Sequence, residues 1–381
     1  MSSLYIHIPF CVEKCAYCNF FSITDLSLQE RYVESLCKEM RFRANYLSDK
    51  LIDTLYFGGG TPSVFSPESI EKIIGQIDAV FSLKSDAEIS LEANPNNLNE
   101  DYFKRLSQTS INRLSIGIQS FNDEHLQVLG RIHSGRQAEI CLELADKYGF
   151  KNLSIDLMYG YPLLTEKQWV ANLEKLRHVN HLSCYCLSLE ANSVLYKQVK
   201  SGKYCLPNEE NALNQYDILT DFAKSNNFLH YEISNFCKPN QFSRHNTAYW
   251  QNKAYLGLGT AAHSFNLVER QWNIADVKTY IDTLSATNTA EEWEMVKDKL
   301  SEKEHLTPAM QFNEYLMTSL RTCWGCDLNF VKKHFGESFY LSLQQNINRL
   351  NKDCYSIENE YLILSERGFL LADAIAGDLF V

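Results

Sequence analysis

Cys11-Val12-Glu13-Lys14-Cys15-Ala16-Tyr17-Cys18 directly follows a short apolar run, residues 4–9, and the rest of the chain is read outward from it. Three cysteines at C-x3-C-x2-C spacing wrap one loop around a compact object. Thiolates are soft ligands that select zinc, copper(I) or iron–sulfur clusters. A structural zinc site takes four protein ligands, commonly supplied in C-x2-C pairs. No fourth Cys or His follows within this loop. A four-iron cubane held by Cys11, Cys15 and Cys18 keeps one iron open to a second molecule. The alternative is three buried core thiols, but core cysteines do not cluster at ligand spacing.

The bulk numbers bound the answer. The chain has 381 residues, enough for one large domain and a smaller one. Hydrophobic residues make up 45% and charged residues 22%, as in ordinary soluble proteins. No apolar run is long enough to span a bilayer, and residue 4 already reads as strand rather than signal peptide. The twelve cysteines are mostly isolated, which fits a reducing cytoplasm rather than a disulfide scaffold. A net charge of −11 argues against a nucleic-acid partner.

Strands and helices then alternate. Apolar, β-prone stretches at 4–8, 51–57, 88–93, 113–118, 153–158 and 181–189 predict six strands. Helical spacing at 28–47, 67–81, 99–108, 135–148, 166–177 and 208–226 predicts the helices between and after them. Ser66-Pro67 marks a helix start, with an N-cap serine and proline in the first turn. Six β–α units imply a parallel sheet with right-handed crossovers. Six units rather than eight suggest a partial barrel. From about residue 230 the alternation breaks. Three units are expected: an α/β partial barrel over 1–230, an extension over 231–290, and a small α+β unit over 291–381 with a winged-helix-like pattern. Between 301 and 381 there are seven Lys and Arg against eleven Asp and Glu, so this tail reads as a packing module or lid rather than a DNA binder.

Chemistry in α/β barrels sits at the C-terminal ends of strands. The cysteine loop follows strand one, Gly58-Gly59-Gly60-Thr61-Pro62 follows strand two, and Glu92 and Asn94 end strand three. Gln119 ends strand four with Arg131 just beyond, and Asp156 lies in strand five. Glycines let backbone approach a ligand closely, although this stretch alone reads as a turn. Arg131 can clamp a carboxylate. Carboxylates on apolar strands are costly to bury without hydrogen-bond donors, such as ribose hydroxyls or an ion-pair partner. Tyr5 on strand one can lie against a ligand.

With Tyr17 before the last cysteine, these stretches resemble the radical S-adenosylmethionine (SAM) superfamily. Within it the likeness is to the anaerobic coproporphyrinogen III oxidase branch, carried by Tyr5-Ile6-His7-Ile8-Pro9-Phe10-Cys11, Glu92-Ala93-Asn94-Pro95, Ser115-Ile116-Gly117-Ile118-Gln119-Ser120-Phe121, Leu129-Gly130-Arg131 and Asp156-Leu157-Met158-Tyr159-Gly160-Tyr161-Pro162. The resemblance implies a (β/α)6 radical SAM barrel. It implies a [4Fe-4S] cluster on Cys11, Cys15 and Cys18, and SAM bound by Tyr5, Gly58, Gly59, Gly60, Thr61, Glu92, Gln119, Arg131 and Asp156.

Two departures separate the chain from the oxidases of that branch. Their cluster motif continues to a fourth cysteine two residues on, where this chain has Phe20, and they carry an N-terminal segment for which strand one leaves no room. A positive feature lies at His245-Asn246-Thr247-Ala248-Tyr249-Trp250, an H-N-x-x-Y-W motif, followed by Tyr255-Leu256-Gly257-Leu258-Gly259. Here the chain is similar to the haem-chaperone family of the branch, in which that motif is associated with haem. The resemblance implies binding of haem, with His245, Tyr249 and Trp250 as candidates, and delivery to apo-haemoproteins. It also implies an electron donor for the cluster, while the cysteine usage points to a cytoplasmic location and the charge balance leaves room for peripheral membrane contact through partners. On residue chemistry alone, His245 and Asn246 read as a hydrogen-bonded turn, and His7, His133 and His263 are rival ligands. The enzyme alternative is oxidative decarboxylation of coproporphyrinogen III propionates through a 5′-deoxyadenosyl radical; the third is a purely structural cluster. Cys184 and Cys186 share a strand face as inert thiols, and Cys323-Trp324-Gly325-Cys326 lacks the second pair a metal site needs.

Overall fold

The computed structural model describes residues 2–381. Six strands, β1 (Ser2–Ile8), β2 (Leu51–Gly59), β3 (Ser82–Ala93), β4 (Arg113–Gln119), β5 (Leu153–Tyr159) and β6 (His181–Cys186), lie side by side in chain order, all parallel. Crossover helices connect them at the expected places, among them Gln29–Phe42, Pro67–Val80 and Gly135–Lys147. Ser66 caps the second of these, its hydroxyl accepting from Ser69 N, with Pro67 behind it. The strand side chains sort by alternation. Leu4, Ile6, Leu55, Phe57, Leu91, Ile116, Ile155 and Leu157 enter one core with Leu36, Met40, Ile70, Ile73 and Ile77 of the helices. Their neighbours Tyr5, Tyr56, Glu92, Ser115 and Asp156 take the other face, which is polar.

The stretch after residue 230, which gave no periodicity, extends this sheet at both edges. β7 (Leu229–Glu232) and β8 (Asn235–Cys237) add antiparallel beyond β6. β9 (Tyr255–Leu258) adds parallel to β1, and β10 (His263–Phe265), β11 (Glu269–Asn273) and β12 (Ser301–His305) continue outward antiparallel. The result is a twelve-stranded sheet in the order β12-β11-β10-β9-β1-β2-β3-β4-β5-β6-β8-β7. Residues 291–305, expected to open the C-terminal unit, therefore pack with the large sheet, and Trp293 and Leu300 join its core. The tail has a separate core built on Phe312, Leu316, Leu320, Val331, Leu343 and Leu362. There, β13 (Cys326–Asp327), β14 (Tyr355–Glu358) and β15 (Tyr361–Leu364) form a three-stranded sheet beside the helices, in the order β13-β15-β14.

A buried ion pair fastens the β9–β11 edge to the first helix. Arg43 Nη1 lies 3.0 Å from Glu39 Oε1, and both side chains are buried. Arg43 also donates to Gly257 O, Ser264 Oγ and Gln271 Oε1, while Glu39 accepts from Gly259 N, Asn273 Nδ2 and Tyr280 OH. Glu39→Ala leaves the guanidinium buried without its counter-charge, which costs about 3–5 kcal/mol. Urea unfolding followed by circular dichroism is expected to show the midpoint falling accordingly, with the conservative Glu39→Gln losing less.

Candidate functional site

The cysteine loop leaves β1 and folds over the C-terminal ends of the parallel strands. Backbone hydrogen bonds hold it on three sides: Cys11 N to Ile23 O (2.9 Å), Ala16 N to Leu129 O (3.0 Å) and Leu195 N to Ala16 O (2.8 Å). Gly130, at φ +68°, is what lets the Leu129–Arg131 turn come this close, because a Cβ there would stand 2.7 Å from Ala16 N. Cys11, Cys15 and Cys18 line a cavity of 340 Å³. Among the described residues no three His, Cys, Asp or Glu side chains converge as a single-ion site would; these three thiols stand round one end of the cavity instead. Thr61 Oγ1 reaches Cys11 Sγ at 3.4 Å, and Arg131 Nη1 reaches Cys15 Sγ at 3.3 Å. A cationic donor beside a thiolate stabilises its charged, ligating form.

The same cavity gathers Gly59, Gly60, Thr61, Glu92, Gln119, Arg131 and Asp156 from the ends of four strands, β2 to β5. Gly58 and Tyr5 sit behind this wall. A Cβ on Gly58 would lie 2.9 Å from the Tyr5 and Tyr56 rings, and one on Gly59 (φ +110°) would lie 2.6 Å from His7. These glycines are thus required by protein neighbours as well as by any ligand. Tyr5 OH meets His7 Nδ1 at 3.1 Å, and His7 Nε2 meets Phe21 O at 3.1 Å, tying strand one to the end of the cysteine loop. Burial holds His7 down to about 4, so its ring is neutral.

Glu92 Oε1 accepts from Tyr56 OH at 2.8 Å, and Oε2 accepts from Gly59 N at 3.2 Å. Burial pushes its carboxyl up to about 7, with the Asp156 charge adding to the effect and the two hydrogen bonds opposing it. Asp156 accepts from Ser115 Oγ at 3.0 Å, and burial pushes it up to about 6. Two carboxylates with too few donors fit a ligand that brings hydroxyl groups. Arg131 Nη2 donates to Asn94 Oδ1 at 2.7 Å and to Gly117 O, which aims the guanidinium across the cavity. Gln119 adopts φ +65° at a bulge where β4 slips against β5. That conformation costs a non-glycine residue about 1–3 kcal/mol and is typical of functional sites. Ser115, Met158 and Tyr185 also line the cavity, and Tyr56 supports it. Sequence reading missed all four; the available signal was a polar or bulky residue at alternate positions of otherwise apolar strands. Phe20 stands at the cavity mouth, 70% exposed.

The H-N-x-x-Y-W segment forms the helix Arg244–Trp250, seated across the opposite end of the strands. Arg244 N and His245 N both donate to the Glu88 carboxylate (3.1 and 2.9 Å). His245 is 1% exposed, with Nδ1 2.8 Å from Thr54 Oγ1 and Nε2 2.9 Å from Tyr249 OH. Its ring stacks on Tyr56 at 4.9 Å, and burial holds it down to about 3. Iron ligation by His245 through either nitrogen would therefore require breaking the hydrogen bond made there and opening the core around the ring. Tyr249 is half-buried beside it. Trp250 lies apart, on the wall of a second cavity. Of the rival histidines, His133 is buried and bonded to Ile118 O, and His263 is exposed on β10 beside Trp272.

Residues 5–176 match the Radical SAM superfamily. The chain is similar to the haem chaperone HemW of Bacillus subtilis (strain 168), 33% identical over 99% of this chain and 98% of that one. It is similar also to HemW of Lactococcus lactis subsp. lactis (strain IL1403), 31% identical over 98% of this chain and 96% of that one. Among solved structures, coproporphyrinogen III oxidase (HemN) from Escherichia coli, a radical SAM enzyme, matches with a TM-score of 0.84 over 100% of this chain and 90% of that one; at 21% identity this is a likeness of fold. With the relationship to HemW running from end to end, the chain belongs to the radical SAM superfamily and, within it, to the HemW family.

Proposed function

We propose that the chain is a haem chaperone that carries a [4Fe-4S] cluster and SAM, takes up haem and delivers it to apo-haemoproteins. The observation that carries this reading is the end-to-end likeness to two proteins named haem chaperones, covering the extension and the tail as well as the strand-end site. Cys11, Cys15 and Cys18 would hold the cluster, and the donor set fits: three soft thiols, an arginine beside one of them, and open space next to all three. Glu92 and Asp156 would accept from SAM hydroxyls, Arg131 would meet its carboxylate, and Gln119 and Thr61 would complete the wall. The cluster and SAM, when bound, supply one-electron chemistry; the protein's part is to orient them and exclude water. An electron donor for the cluster belongs to this reading, as do a cytoplasmic location and membrane contact through partners. Among the described residues no helix is long and apolar enough to cross a membrane.

The test is transfer. Protein reconstituted anaerobically with iron and sulfide, then loaded with haem, is mixed with apomyoglobin as a reporter. The expected result is appearance of the holo-myoglobin spectrum, with coproporphyrinogen III left intact in a parallel incubation with SAM and reductant. Retained haem together with consumption of coproporphyrinogen III would instead establish the oxidase reading.

A further inference from the structure

The cavity round the cysteines has a volume of 340 Å³, and on the reading above it already accommodates the cluster and SAM. A second cavity of 840 Å³ opens at the other end of the parallel strands, where Ser2 begins β1 and Asp49 precedes β2, between the large sheet and the C-terminal unit. We propose that this inter-unit cleft is the haem site, with His334 as the iron ligand. The proposal rests on the haem-chaperone reading and gives it a location on an open wall, away from the buried His245.

Size and lining point the same way. Ligand pockets fall at about 300–1,000 Å³, favour domain interfaces and are lined by aromatic groups with a few placed polar ones. Here the walls carry Trp250, Phe265, Tyr315, Trp324, Phe330 and Phe335. Such a surface suits a large, flat, apolar macrocycle and not a sugar or a nucleotide. Trp250 is the one residue of the H-N-x-x-Y-W candidates to reach this cleft. The short helix that bears it buries His245 and Ala248 as its anchor.

His334 ends the helix Leu328–His334 and is the histidine on the cleft wall. Its ring stacks on Phe330 at 4.9 Å and 12° and meets Phe335 edge-on at 4.8 Å, so its orientation is set by packing. Among the described residues neither of its ring nitrogens has a hydrogen-bond partner, the opposite of His245, and an unengaged imidazole is a common axial ligand to haem iron. Charge agrees. The cleft's carboxylates are engaged: Glu314 by Arg270, Asp327 by Phe330 N at the start of its helix, and Asp49 by Leu51 N. Lys253, on the same wall, makes no ion pair among the described residues and is placed to meet a propionate.

The test titrates the anaerobically reconstituted full-length chain with haemin and follows the Soret band. Wild type is expected to bind. His334→Ala is expected to bind about tenfold or more weakly, with a displaced Soret maximum that added imidazole restores. Val268→Trp, at an exposed position on the cleft wall, narrows the space and should weaken binding without changing the ligand spectrum. If wild type binds haem and both variants match it in affinity and spectrum, the cleft assignment is overturned while the chaperone reading stands. If wild type binds no haem, both fall together.

Discussion

Alanine at any one of Cys11, Cys15 or Cys18 is expected to abolish iron–sulfur loading, taking bound iron from about four atoms per chain to near zero. The effect is all-or-none because two thiolates cannot replace three around a cluster that already has an iron without a protein ligand. The fold should survive. The loop is held by backbone bonds to Ile23, Leu129 and Leu195, not by its thiols. Thermal unfolding of the apo-variants should therefore stay close to that of the apo wild type. Cys205, exposed and distant in sequence, supplies the control: Cys205→Ala is expected to load iron fully. The measurement is iron and acid-labile sulfide per chain after anaerobic reconstitution. A loop variant that loads as fully as the Cys205 control would remove that cysteine from the ligand set.

What the chain disclosed in advance follows from the physics of each part. The six β–α units were legible because long helices and buried parallel strands write regular periods, and Ser66-Pro67 writes a start. The strand-end site was legible because α/β topology delivers Cys11, Glu92, Gln119 and Asp156 to one end whatever the loop details. The extension was not. β7 to β12 are three to five residues each, too short for alternation to rise above chance, and their partners β1 and β6 lie far away in the chain. The same long-range pairing carries residues 291–305 onto the large sheet. Tyr56 shows a subtler limit. Its position in strand two was clear, but its work lies in contacts from elsewhere: its hydroxyl holds Glu92, and His245, about 190 residues later, stacks on its ring. His245 itself was read from a motif whose chemistry permits haem ligation. The fold spends both ring nitrogens internally, and no local pattern could reveal Thr54 as a partner.

Glu92→Gln is expected to weaken SAM binding by roughly 10- to 150-fold, the value of a charge-assisted hydrogen bond of about 1.5–3 kcal/mol. It should also flatten the pH dependence of binding. In the ligand-free chain burial pushes Glu92 up to about 7 and Asp156 up to about 6. Both folded values lie above the ordinary carboxyl range, so the folded chain holds protons that the unfolded chain has released. The contribution of these groups to stability is thus present at acid pH and is lost as pH rises towards 7. Hydroxyl donors from SAM favour the ionised carboxylates and reverse that penalty. SAM affinity in wild type should therefore rise from pH 5.5 to pH 7.5, with release of protons on binding, and level off above. Glu92→Gln keeps an acceptor for Tyr56 OH but has no proton to release, and its amide donor faces Gly59 N. Asp156→Asn should remove the lower part of the pH slope and leave the upper part. Calorimetry in two buffers of different ionisation enthalpy measures affinity and proton release together. If Glu92→Gln binds SAM as tightly as wild type with the same pH slope, Glu92 does not meet the ligand, and the raised carboxyl reflects burial against Asp156 alone.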